Sequence, residues 1–218
     1  MHPAMTSAAI ADTDPLPEMR SEEPPPKSHP RVRLEIDARR AQLLELGREL
    51  FTTHRFDELS IGDIAQAAGI SKGLLYHYFP SKRAFYSESL RALAGDLLRD
   101  TMPPPDLPPI ERVRAGVDAY FAFVDRNRTV FSQLIQRGIL SDPEVIGIIE
   151  DTKLRFLDRL ITEFAETPIA RNALSGWIGF VAASVLDWFE RPDVAQRDLT
   201  DLLVALFKEM AARSTHPA

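Results

Sequence analysis

The chain has 218 residues, 44% of them hydrophobic, carries a net charge of −6 and contains no cysteine. That length and apolar share suffice for the core of one medium domain, or of a small domain joined to a larger one. The missing thiols exclude a disulfide scaffold, a thiolate metal site and a cysteine nucleophile.

The first 30 residues lack the layout of a secretory signal, and no apolar run reads as long enough to span a bilayer, so a soluble cytoplasmic protein is expected, with no membrane partner. The acidic average hides an uneven distribution. Residues 1–30 hold 2 basic and 5 acidic side chains, residues 31–91 hold 10 and 8, and residues 92–218 hold 14 and 19. Only the middle stretch is net positive, as binding to a phosphate backbone requires.

Residues 1–30 contain seven prolines, Pro24-Pro25-Pro26 among them, and almost no bulky apolar side chain. Such a segment cannot offset its ordering entropy and is expected to be a disordered tail. Arg31, Arg33, Arg39 and Arg40 follow in a stretch read as extended or barely helical, either a basic arm along DNA or a solvated helix start. Leu43, Leu46, Leu50 and Phe51 mark a first helix, and Tyr86, Leu90, Leu93 and Leu97 a fourth that begins near Ser81. The run Pro103-Pro104-Pro105-Asp106-Leu107-Pro108-Pro109 ends it, because fixed φ and missing amides forbid continuation. Helical patterns then fit 109–126, 128–137, 143–165, 169–189 and 195–212, punctuated by Gly138, Ser141-Asp142-Pro143, Pro168 and Pro192. Strand-like alternation is absent, so the expected class is all-α, with about nine helices.

Between the first and fourth helices lies the informative stretch, from Ser60 to Phe79. Ser60 with Asp63 forms a capping-box pattern for a short helix that turns Ile61, Ile64 and Ala65 inward. Gly69 can take positive φ and stop that helix, and Ser71 can cap the next, giving a helix-turn-helix whose second helix enters a major groove. Leu74, Leu75 and Phe79 are expected to face the core. Lys82 and Arg83 sit in the first turn of the fourth helix, where cations oppose the macrodipole, which makes sense beside a phosphate.

The ordered combination Leu50-Phe51, Ile64-Ala65, Ala68-Gly69-Ile70-Ser71, Leu75-Tyr76, Tyr78-Phe79-Pro80 and Ser81-Lys82 resembles the TetR family of bacterial regulators. The resemblance implies a three-helix DNA-binding head at 31–80, a linker helix at 81–102, and a ligand-binding and dimerisation body at 103–218. It also implies a homodimer on a palindromic operator. The implied DNA-binding set is Ser60, Ser71, Lys72, Gly73, Tyr76, His77, Tyr78 and Lys82, with Gly73 permitting close backbone approach and Lys82 clamping a phosphate. Two positions depart from the pattern. Gly62 stands where relatives often carry arginine or another polar residue, removing one base contact. Arg55 stands where the first helix usually ends in glycine, so either that helix ends differently or Arg55 serves a phosphate.

The resemblance further implies that the last two helices pair with their symmetry mates. Their apolar residues include Ala173, Leu174, Trp177, Ile178, Val181, Val185, Leu186, Trp188 and Phe189, then Leu199, Leu202, Leu203, Leu206, Phe207 and Met210. So many on the 169–189 helix imply burial on nearly all sides. A pocket for a small-molecule effector is expected near Tyr120, Phe121, Phe123, Phe131, Phe156 and Phe180, with Gln133 or Arg137 orienting a polar group. Phosphate-loop, metalloprotease, nucleophile-elbow and dinucleotide patterns are missing, and His2, His29, His54, His77 and His216 show no metal spacing. No catalytic residue, cofactor or metal is therefore expected. The competing reading is a helical protein-interaction module that binds no DNA.

Overall fold

The computed structural model describes residues 30–55, 58–136, 142–164 and 167–214. These form α1 (Pro30–Thr53), α2 (Ile61–Ala67), α3 (Lys72–Tyr78), α4 (Lys82–Asp100), α5 (Pro109–Arg126), α6 (Arg128–Gln136), α7 (Pro143–Phe164), α8 (Pro168–Glu190) and α9 (Gln196–Ser214), with no strand among the described residues. The boundaries follow local chemistry. Ser60, Ser71, Ser81 and Thr167 each turn a side-chain oxygen to a first-turn amide of α2, α3, α4 and α8, and prolines open α5 and α8, where the missing amide costs no helical bond. The expected disordered tail before Pro30 lies outside the described residues, as do Arg137, Gly138 and Ser141 and the side chains of Arg31 and Arg33.

The segment expected to be extended is instead helical: α1 already runs from Pro30, through Arg39 and Arg40. Where α1 crosses α4, side chains of α4 fill the space beside Gly47, since a Cβ there would stand 2.3 Å from the Ser89 hydroxyl and 2.8 Å from the Phe85 ring. Leu43, Phe51, Ile64, Leu75, Phe79, Phe85 and Tyr86 close one core over these helices, and Val130 of α6 and Val145 of α7 extend it. Its rings meet edge to face, Phe51 with Tyr86 at 4.9 Å and Phe79 with Phe85 at 5.0 Å.

The remaining helices pack around two further clusters. One gathers Val117, Phe121, Val124, Val181, Val185 and Leu203; the other gathers Val113, Leu157, Leu174 and Phe207. The indole of Trp177 donates to the Leu203 carbonyl at 3.0 Å and joins α8 to α9. Helix α4 belongs to both halves: Phe85, Tyr86 and Leu90 enter the first core, while Leu97 and Leu98 are buried toward its other end.

Candidate nucleic-acid interface

The Ser60 hydroxyl accepts from the Asp63 amide at 3.2 Å, and the Ser60 amide donates to the Asp63 carboxylate at 2.8 Å, completing the capping box of α2. Hydrogen bonds from the Ser60 hydroxyl and amide, then the charges of Lys72 and Lys82, hold the Asp63 carboxyl below the usual range. At the other end Gly69 takes φ +64°. Its amide donates to the Gln66 carbonyl and that of Ile70 to the Ala65 carbonyl, both at 3.0 Å, a Schellman closure that turns the chain sharply into α3.

Helix α3 has a buried side and an open side. Leu75 and Phe79 are wholly buried, whereas Ser71, Lys72, Gly73, Tyr76 and His77 are exposed and Tyr78 is half-buried. Leu74 contradicts the expectation of a core residue, with 39% of its surface exposed. The reason is angular: Leu75 and Phe79 are four residues apart and share a face, and Leu74 lies about 100° round the helix from Leu75. Ser60 and Ser71 both spend a lone pair on a cap. His77 and Tyr78 meet edge to face at 5.5 Å. Gly73 has open space where a Cβ would be, the nearest atom being the Ser71 hydroxyl at 3.9 Å.

Several cations named in the sequence have partners inside the chain. Arg83 donates to Asp142, the residue before α7, at 2.6 Å, a partner within the chain for a cation in the first turn of α4. Arg40, helical and not extended, pairs with Glu88 and lies over the Phe79 ring at 5.2 Å. Arg55 follows the first of its two alternatives. The chain leaves α1 at His54, the Arg55 amide donates to the Glu58 carboxylate at 3.0 Å, and the Arg55 carbonyl accepts from the Glu58 amide at 3.1 Å.

Behind α4 lies a cavity of about 560 Å³ lined by Leu90, Leu93 and Leu97 of α4, Tyr120 and Phe123 of α5, Phe131 of α6, Ile149 and Phe156 of α7, and Trp177 and Ile178 of α8, among others. Its polar groups are mostly committed. Thr101, Thr152 and Thr162 donate to carbonyls one turn back, Arg112 pairs with Glu163 at 3.0 Å, and Arg159 donates to the Leu98 carbonyl at 2.6 Å. Tyr120 and Lys153 stand apart, and Arg112 Nε has no partner. The Tyr120 hydroxyl makes no hydrogen bond to a described residue, and burial pushes its pKa above the tyrosine range. Tyr120, Phe123, Phe131 and Phe156 were expected here. Phe121 instead packs on Trp188, Phe180 is 45% exposed, and Gln133 lies in a smaller cleft beside Arg55. The contribution of α4 was not anticipated, although the Leu90, Leu93, Leu97 stripe signals an apolar face in need of cover.

The two last helices leave apolar side chains uncovered: Ile169 and Phe180 on α8, and Leu202 and Leu206 on α9. Burial of α8 on all sides is not found within one chain, where Ala170, Leu174, Val181 and Val185 are its buried residues. Contrary to the expectation from apolar runs, α8 is long and apolar enough, by length and composition alone, to cross a membrane.

Comparison with known proteins is decisive for the family. The model described as bacterial regulatory proteins, tetR family, matches residues 43–88, and one described as tetracyclin repressor-like, C-terminal domain, matches residues 109–210. The chain belongs to the TetR family. The transcriptional repressor KstR2 of Rhodococcus jostii is 29% identical over 159 residues, 72% of this chain and 70% of that protein. The transcriptional activator FasR of Mycolicibacterium smegmatis is 29% identical over 125 residues, 54% of this chain and 55% of that protein. A TetR-family regulator from Streptomyces coelicolor superposes with a TM-score of 0.71 at 29% identity, over 81% of this chain and 83% of that one. As a TetR-family protein the chain is a DNA-binding transcriptional regulator, and the α2–α3 pair is its helix-turn-helix.

Proposed function

We propose that this regulator is a ligand-responsive repressor that binds a palindromic operator as a homodimer in the cytoplasm. Residues 31–80 form the DNA-binding head, 81–102 the linker helix and 103–218 the ligand-binding and dimerisation body. The observation that carries the reading is the open side of α3. A glycine inside a helix costs about 1 kcal/mol relative to alanine, and at Gly73 no neighbour within the chain requires one. A DNA backbone close to α3 does. Lys72, Tyr76, His77 and Tyr78 then face bases and phosphates, Ser60 and Ser71 hold both helix starts, and Lys82 meets a phosphate from the end of α4.

The uncovered apolar side chains of α8 and α9 support a two-fold interface that sets two α3 helices about one DNA turn apart. The cavity supports a largely apolar small-molecule effector, with the Tyr120 hydroxyl as its polar anchor. Since α4 carries Lys82 at one end and lines the cavity with Leu90, Leu93 and Leu97, an effector that fits one α4 position better shifts the heads and lowers operator affinity. Repression, and not activation, follows the printed function of KstR2. The test is operator binding by Tyr76→Ala and Lys82→Ala. Both should weaken it at least tenfold while the dimer persists; unchanged binding by both overturns the placement of α3.

A further inference from the structure

Gly62 near the start of α2 is half-buried and Gly73 near the start of α3 is exposed, and the space beside them differs. A Cβ on Gly73 meets nothing closer than 3.9 Å, whereas a Cβ on Gly62 would stand 2.7 Å from Cε and 2.9 Å from Nζ of Lys72. The Lys72 side chain therefore leaves the first residue of α3, runs back over α2, and rests its ammonium in the gap that Gly62 leaves. Ser60 borders the same gap, with its hydroxyl 3.3 Å from that Cβ position. A lysine stem has four rotatable bonds and up to about 2 kcal/mol of rotamer entropy to lose. Seating its end on a neighbouring helix removes part of that cost before DNA arrives.

We infer that Gly62 is a positioning residue for DNA binding: by withholding a side chain it seats the Lys72 ammonium over the start of α2, as a phosphate contact and not a base reader. This rests on the placement of α3 against DNA given above. The departure of Gly62 from the family pattern, a lost base contact when the sequence is considered alone, becomes a gained seat for a cation. Asp63 beside it is committed to the α2 cap, and its charge is shared by Lys72 and Lys82, so the local field stays positive.

Phosphate contacts and base contacts differ in their salt dependence. A phosphate contact contributes about 0.9 to the slope of log affinity against log salt and is blind to sequence. The probe is a fluorescently labelled duplex of random sequence, titrated by anisotropy at salt from about 50 to about 200 mM. Four proteins are compared: wild type, Gly62→Ala, Lys72→Ala and the double variant. Lys72→Ala lowers the slope by about 0.9 for each engaged subunit and the affinity by roughly tenfold near 0.1 M salt. Gly62→Ala, which displaces the far end of the Lys72 side chain and presses the capping Ser60 hydroxyl by a few tenths of an ångström, produces most of that loss, with the melting temperature read alongside. In the Lys72→Ala background Gly62→Ala has no further effect, the mark of two residues acting through one contact.

Equal effects of Gly62→Ala with and without Lys72, or an unchanged slope in Gly62→Ala, overturn the positioning role while leaving the DNA-binding assignment intact. Absence of salt-dependent binding by the wild type overturns the assignment of the α3 face and this role with it. A disturbance of the Ser60 cap by the new Cβ persists in the double variant, where the Lys72 stem is gone, so its circular dichroism and melting temperature separate a folding defect from loss of the lysine seat.

Discussion

Replacing Leu202 and Leu206 of α9 together by alanine tests the proposed dimer. In the single subunit these side chains keep 50% and 41% of their surface exposed. Burying a whole leucine side chain is worth about 1.5–3 kcal/mol, so covering roughly half of one contributes about 1 kcal/mol. Two per subunit, doubled by a two-fold interface, give about 4 kcal/mol, and truncation removes most of it. At 1.4 kcal/mol per tenfold, the dimer dissociation constant rises about a thousandfold. Leu203 and Val204, which lie between them, are buried within the subunit and untouched, so the fold of each chain is retained. Sedimentation velocity over a dilution series reads the change. The control is Ile146→Ala with Leu154→Ala, two comparably exposed side chains on α7, which leave the dissociation constant unmoved. A dimer equally insensitive to both pairs refutes the α8 and α9 interface.

Other outcomes follow from the same structure. Gly69→Ala places a Cβ at φ +64° and lowers unfolding stability by about 1–2 kcal/mol, read by urea denaturation; an unchanged midpoint contradicts the strained turn. Tyr120→Phe keeps the melting temperature within a few degrees of the parent but weakens binding of a hydrogen-bonding apolar effector about fivefold or more, measured by calorimetry; equal binding removes the hydroxyl as an anchor. The Asp142 carboxyl is held low first by the Glu144 amide and then by Arg83. Its folded pKa lies below the unfolded value near 3.9, so its contribution is present above that value and is lost as the pH falls through the folded pKa. Asp142→Asn therefore shows a smaller loss of melting temperature between about pH 5 and about pH 2 than the parent, and parallel curves contradict this.

Helix ends were readable wherever a single side chain or proline decides them: Ser60, Ser71 and Ser81 cap α2, α3 and α4, and the prolines before Ile110 and Ile169 open α5 and α8. The long α1 was not, because no cap marks its start and its early residues are charged on all sides. The Asp142 partner of Arg83 was not readable, since it is 59 positions away, beyond any local rule. The cavity was half visible. Aromatic residues of α5, α6 and α7 advertise it, but whether Phe121 or Phe123 faces it depends on how the helices are rotated, which one chain segment cannot reveal. Gly62 looked like a loss because its neighbour Lys72 lies across a turn.

The most direct test of the central claim is selection of bound sequences from random duplex DNA by the purified protein. Two α3 helices presented by a dimer predict an enriched palindrome whose half-site centres lie about 34–36 Å apart or a multiple of it, with binding that falls steeply as salt rises. Recovery of no common sequence, or of one lacking two-fold symmetry, contradicts it.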